Sequence, residues 1–160
     1  QMCIRDRIVK LAASMGLEIP ILGSDTLDSN KVLEAAAGSD VQLYVSTFYQ
    51  EGGSPEFDDG IQAWLNEDST AMTNNGGNDT IAAVTAMGYD AYYVALEALK
   101  AAGSTDPAAV KAALPGVTYT GVTGDIAFDD IGDAIRDTAY IKVADTANNA
   151  WALETMQKAG

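Results

Sequence analysis

Histidine is absent from this chain, and cysteine occurs once, at Cys3. Those two shortages exclude Ser-His-Asp and Cys-His catalysis, histidine-based metal sites and CxxC redox chemistry, each of which needs parts that are not there. Arginine is scarce too, with two of its three residues (Arg5 and Arg7) in the first seven positions. Long apolar runs are missing, so no stretch spans a bilayer, and no basic segment leads into an apolar one as in an export signal. No glycine-rich loop ends in Lys-Ser/Thr, no GxSxG elbow occurs, and no GxGxxG lies between a strand and a helix. Carboxylate, hydroxyl or lysine chemistry remains possible, but no constellation for it stands out. The reading is therefore of a protein that is not an enzyme, with no cofactor and no metal.

What is present is an ordinary globular composition. The chain has 160 residues, 48% hydrophobic and 20% charged, enough for one domain with a core. Its formal charge is −14. Without the first seven residues it holds 7 basic and 22 acidic groups, a charge of −15. Such a surface repels a phosphate backbone, which argues against nucleic acid as a partner, and it suits solubility outside the cytosol. The acidic runs Glu56-Phe57-Asp58-Asp59 and Asp129-Asp130 lack the alternating ligands and closing glutamate of an EF-hand loop and read as solvated turns.

Periodicity switches repeatedly between helix and strand. Ile8–Gly16 reads as the end of an amphipathic helix with Ile8, Leu11, Ala12 and Met15 on one face. Ile19–Gly23 is an apolar run of strand length, as in a strand covered on both faces. Asp28, Ser29 and Asn30 each suit the N-cap of a helix to about Ala37, and Val41–Tyr49 is the next strand. This order is half of a doubly wound α/β layer. Ser54 and Pro55 open a helix through Leu65. The polar stretch Asn66–Asn78 reads as a surface excursion; its Asn78-Asp79-Thr80 sequon is too short a pattern to carry weight. Asp79–Ala102 is the longest helix, alanine-rich and closed by Gly103. A short helix over Asp106–Leu114 follows, and the remainder alternates as strands around turns at DDIGD and TANN.

A strand, Gly-Ser-Asp, a helix, a strand, a long alanine-rich helix containing GYDA, a short Asp-Pro helix, TGDIAFDDIGD and a last hairpin occur here in that order. Taken together, from Ile8 to Trp151, they resemble the carboxy-terminal part of the type I periplasmic binding proteins, most of all the Leu/Ile/Val-binding components of ABC importers. The loop Asn66–Asn78 departs from that pattern, lacking a Tyr-Gly signal. The resemblance implies an α/β fold of two Rossmann-like lobes joined by a hinge, here incomplete. Residues 8–47 and 137–160 would belong to the second lobe and residues 48–136 to the first, with chain crossings near 47–52 and 129–136. It also implies a small-molecule amino acid held in the cleft, an ABC permease as membrane partner and a periplasmic or extracellular location, with a lipid anchor as one form of it. The full-length protein is expected to be a monomer. The same fold serves as the sensing module of regulators and receptors, which stays open as an alternative, as does an α/β enzyme working with carboxylates.

Within that family pattern, Asp25 lies just past the carboxyl end of a strand, where open α/β sheets bind ligands. The resemblance implies that it holds the ligand's α-ammonium by a charge-assisted bond, with Ser24 and Thr26 as hydroxyl contacts. The alternative is a helix-capping Asp25, although Asp28, Ser29 and Asn30 would serve as caps without it. Ala86, Met87 and Tyr89 would face the cleft from the long helix; apolar residues at that spacing are also ordinary core. Phe48 and Tyr49 are expected to pack the hinge. The opening QMCIRDR abuts the middle of a family helix, and its translation resembles a transposase end sequence used in library preparation. Residues 1–7 are therefore expected to be adapter read-through, in which case Cys3 carries no redox inference.

Overall fold

A computed structural model describes residues 2–158. The first helix, α1, covers Met2–Met15, so the segment from Ile8 onward is its end, as periodicity indicates. Two apolar stripes run along it. Val9 and Ala12 are buried, whereas Ile8, Leu11 and Met15 are exposed. The expected core face thus holds only at Ala12, because the stripe that meets the sheet is offset by one residue from the one that periodicity picks out.

Strand β1 is Ile21–Gly23, followed by a 3-10 turn at Asp25–Leu27 and by α2, Asn30–Ala36. Strand β2, Leu43–Thr47, buries Leu43, Val45 and Thr47 in strict alternation. It pairs in parallel with β1, the register running Ile21 to Leu43. β1 is an edge strand, and Leu22 is 68% exposed. The expectation of a strand covered on both faces is corrected: α1 and α2 cover one face only.

Helix α3, Pro55–Glu67, begins behind Ser54 with Pro at its first position, as the sequence predicts. The polar stretch after it is not irregular throughout. It contains α4, Ser69–Asn74, capped by the Asp68 carboxylate, which accepts from the Thr70 N–H at 2.7 Å. Helix α5, Ala83–Ala102, starts four residues later than Asp79 and ends on Gly103 at φ 58°. The delay has a local cause. Asn78 Oδ1 accepts from the Thr80 N–H at 3.0 Å, and Asn75 Nδ2 donates to the carbonyls of Asn78 and Thr80. Those bonds hold the backbone extended and compete with the helix. Helix α6, Pro107–Ala113, follows, with Asp106 accepting from the Ala109 N–H at 3.0 Å.

The remaining chain is β. Strands β3, Tyr119–Gly121, β4, Gly124–Phe128, and β5, Ala134–Ile135, form an antiparallel sheet. Strands β6, Thr138–Asp145, and β7, Ala150–Lys158, form the expected hairpin, and β6 joins β2 antiparallel to give the order β1-β2-β6-β7. One core lies between that sheet and α1 and α2, around Val9, Val32, Ala36 and Leu43. A second gathers Tyr49, Phe57, Ile81 and Ala86, and a third packs Val94 and Ala98 of α5 on Val117 and Ile126. The fold class is α/β, with one four-stranded sheet and one three-stranded sheet among the described residues. Among the described residues no helix is long and apolar enough to cross a membrane.

Candidate functional site

The loop after β1 is shaped by a close approach. A Cβ on Gly23 would stand 2.6 Å from Leu27 Cδ2, so glycine there lets Leu27 fold back over the strand end onto the first core. That closure presents Ser24, Asp25 and Thr26 on the outside of a tight turn. The Ser24 and Thr26 hydroxyls bond each other at 2.9 Å. Asp25 is half-buried, and among the described residues its carboxylate receives no side-chain or backbone hydrogen bond. It is not a cap of α2, whose N-cap position is Ser29 with no side-chain bond.

Asp28, weighed in the sequence only as a cap, has a different task. Its carboxylate is buried and accepts from Thr47 Oγ1 and from Lys142 Nζ, both at 3.0 Å. The ion pair is almost fully enclosed, with side-chain exposures of 5% for Lys142 and 3% for Asp28. It ties the β1–α2 loop to the end of β2 and to the middle of β6. A lysine opposite Val45, on the inward parity of an otherwise apolar strand, was the available signal, but reading it needs the strand pairing.

Met87 and Tyr89 lie on α5, apart from this loop. Met87 lines an apolar groove with Val94, Ile126, Phe128 and Arg136. Tyr89 walls a cavity with Phe57, Ile61, Val122 and Glu56, its ring 5.0 Å from that of Phe57. Its hydroxyl bonds Tyr93, which together with partial burial pushes its pKa up to about 12. Ala86 is wholly buried core. Neither the groove at Met87 nor the cavity at Tyr89 includes the Ser24–Thr26 turn.

Three further charged residues were missed. Asp58 is not in a solvated turn. It is buried in the first turn of α3 and accepts from the Tyr49 hydroxyl and the Gly52 N–H, each at 2.7 Å. Burial and that carboxylate push the Tyr49 pKa above its ordinary value. Asp90, the acid of GYDA, is completely buried. It accepts from the N–H groups of Val122 and Thr123 at 2.9 and 2.8 Å and from Thr123 Oγ1 at 2.6 Å. Arg136 Nη1 donates to Thr123 Oγ1 at 2.9 Å, and its guanidinium sits 5.1 Å from the Phe48 ring centroid. Phe48 and Arg136 lie in the two segments expected to cross between lobes. Asp129, by contrast, closes a turn as expected, accepting from the N–H groups of Ile131 and Asp133. Among the described residues no group of three or more His, Cys, Asp or Glu is placed to hold a metal ion.

One polar cavity, of about 300 Å³, joins the sheet layer to the rest of the chain. Asn30, Lys142 and Trp151 line it from α2, β6 and β7, and Gln50, Glu51 and Asn78 line it from the other side. Asn30 Nδ2 donates to Thr80 Oγ1 at 3.2 Å beside it, a direct bridge across the junction.

A profile of the periplasmic binding proteins matches residues 7–148. The solved leucine-binding protein LivK of Thermotoga maritima superposes with a TM-score of 0.76 at 24% identity, over 98% of this chain and 42% of that one. LivJ of Streptococcus pneumoniae, a branched-chain amino acid substrate-binding protein solved with isoleucine, gives 0.66 at 20% identity, over 98% and 42%. An ABC-transporter solute-binding protein of R. palustris, solved with benzoate, gives 0.69 at 15% identity, over 98% and 41%. This chain thus spans about two fifths of the length of these solved proteins. No curated protein sequence matches it.

Proposed function

Since this chain belongs to the periplasmic binding protein family, we propose that it works as part of the substrate-binding component of an ABC importer, capturing a branched-chain or related amino acid by closure of two lobes about a hinge. Residues 8–47 and 137–160 make up its share of the second lobe and residues 48–136 its share of the first. The four-stranded sheet supports that division, drawing strands only from Ile21–Thr47 and Thr138–Lys158. The partner is a membrane permease that recognises the closed form, and the protein acts in the periplasm or outside the cell. The task is capture, not catalysis.

The ligand class rests on Asp25. Benzoate has no ammonium, so the fold alone does not select amino acids; a carboxylate waiting at the strand end does. Asp25 stands half-buried beyond the carboxyl end of β1, and its carboxylate receives no hydrogen bond among the described residues. Such a group is ready for an ammonium in a cleft that closes and dries. Ser24 and Thr26 supply hydroxyl contacts beside it, and closure of the lobes would bring Met87 and Tyr89, which stand apart from this turn here, to the facing side. In the protein that carries this chain, Asp25→Ala should cost about 2–4 kcal/mol of leucine affinity by calorimetry, because the bound ammonium would lose its partner. Undiminished affinity for leucine and other amino acids, or binding of benzoate in their place, would remove the assignment.

A further inference from the structure

The cavity bridging the sheet layer and segment 78–81 does not include the Asp25 turn, yet its walls hold complementary charges. Lys142 is buried, at 4% exposure. Its ammonium has three donors, and among the described residues only one is used, toward Asp28 Oδ2. Glu51, exposed at the outer part of the same cavity, supplies a carboxylate that receives no hydrogen bond among the described residues. Two more wall residues contribute buried polar atoms without a partner: the Trp151 Nε1–H donor and the Gln50 Oε1 acceptor. Buried polar groups are nearly always bonded, and each one left unbonded costs about 1–3 kcal/mol. Both such atoms belong to residues lining one cavity, which also holds a cation with donors to spare.

We propose that this cavity is a second binding site, for a small zwitterion whose carboxylate meets Lys142 and whose ammonium meets Glu51. About 300 Å³ is ample for a solute of that size. A bound molecule would touch α2, β6 and β7 on one side and the 50–51 and 78–81 segments on the other, adding to the Asn30–Thr80 bridge across the junction. The inference is independent of the role given to Asp25.

In the protein that carries this chain, Trp151 reports on the site once every other tryptophan, Trp64 among them, is changed to Phe. In that background, glycine should shift Trp151 emission saturably. Acetate and glycinamide, each lacking one charge, should bind about tenfold more weakly or worse. Glu51→Gln, at an exposed position, should weaken glycine about tenfold and leave acetate unchanged. Lys142→Gln leaves Asp28 buried and alone, so the paired variant Asp28→Asn with Lys142→Gln is used to remove both charges together, and it should abolish the glycine response. Asp25→Ala should leave that response intact, which separates this site from the proposed cleft. The inference is overturned if glycine gives no saturable change up to about 0.1 M, showing a cavity filled by water only. Acetate or glycinamide binding as tightly as glycine would overturn it as well, and so would loss of the glycine response in Asp25→Ala.

Discussion

Tyr49 and Asp58 show how a residue's role can depend on a partner that local pattern does not reveal. Asp58 stands in an acidic run, the usual mark of a solvated turn, yet the chain bends back at Gly52 and Gly53 and delivers the Tyr49 hydroxyl to it at 2.7 Å. Tyr49 is 1% exposed, so its hydroxyl has no water to fall back on. Tyr49→Phe should cost about 1–3 kcal/mol in chemical denaturation, because Asp58 then loses a donor inside the fold. The same pair makes stability depend on alkaline pH. The folded-state pKa of Tyr49 is raised, by burial first and by Asp58 next. Its contribution is therefore whole below the ordinary tyrosine value of about 10 and is lost as pH rises toward the folded value. Urea midpoints of the protein that carries this chain should fall above about pH 10, and Tyr49→Phe should flatten that fall; equal slopes would contradict the account. Asp28 carries the same lesson. Its sequence neighbours make it a cap, whereas Lys142, far along the chain, makes it half of a buried ion pair, and removing either partner alone should cost about 3–5 kcal/mol.

Helices and strands were legible in the sequence wherever periodicity and punctuation agreed, as in α3 behind Ser54-Pro55, α6 behind Asp106-Pro107 and the β6–β7 hairpin. They shifted where side chains bonded the backbone locally, at Asn75 and Asn78 before α5, or where a cap such as Asp68 opened a helix inside a polar stretch. The GYDA and TGDIAF segments, readable only as signatures, acquire a physical reason together. Asp90 of α5 receives two backbone N–H groups and a hydroxyl from the turn between β3 and β4, and a Cβ on Gly121 would collide with its carboxylate. Helix and hairpin are thereby locked edge to edge, and Thr123 passes the link to Arg136 and Phe48. Asp90→Asn keeps the shape but turns an amide donor toward groups that donate. It should destabilise by about 2–3 kcal/mol and speed amide exchange at Val122 and Thr123, leaving exchange in β1 and β2 unchanged. Gly121→Ala should do the same through steric displacement of Asp90. Slow, parent-like exchange at Val122 in both variants would show that the turn is held by something else.

Across the whole molecule, the apolar surfaces that remain open matter as much as the cores. Ile4, Ile8, Leu11 and Met15 form one continuous stripe on α1, and all are exposed. Ile19 and Leu22 are exposed as well, and among the described residues β1 ends the sheet with one edge unpaired. An unpaired edge next to an apolar face is a template for association. The sequence reading named one apolar face of α1, Ile8, Leu11, Ala12 and Met15, and passed over Val9, because period alone cannot tell a core from a surface awaiting a partner. The isolated 160 residues should therefore self-associate, and the formal charge of −14 should keep the product as soluble oligomers instead of precipitate. Sedimentation velocity checks this, with Leu11→Glu as the control. That side chain is 59% exposed and points away from Val9 and Ala12, so a charge there should favour the monomer without cost to the inner core. Thermal unfolding of the parent should depend on concentration and lack a sharp cooperative step. A monomer that melts in one sharp, concentration-independent transition would mean that the open stripe and the bare edge of β1 are tolerated surfaces, and that these residues close a complete fold by themselves.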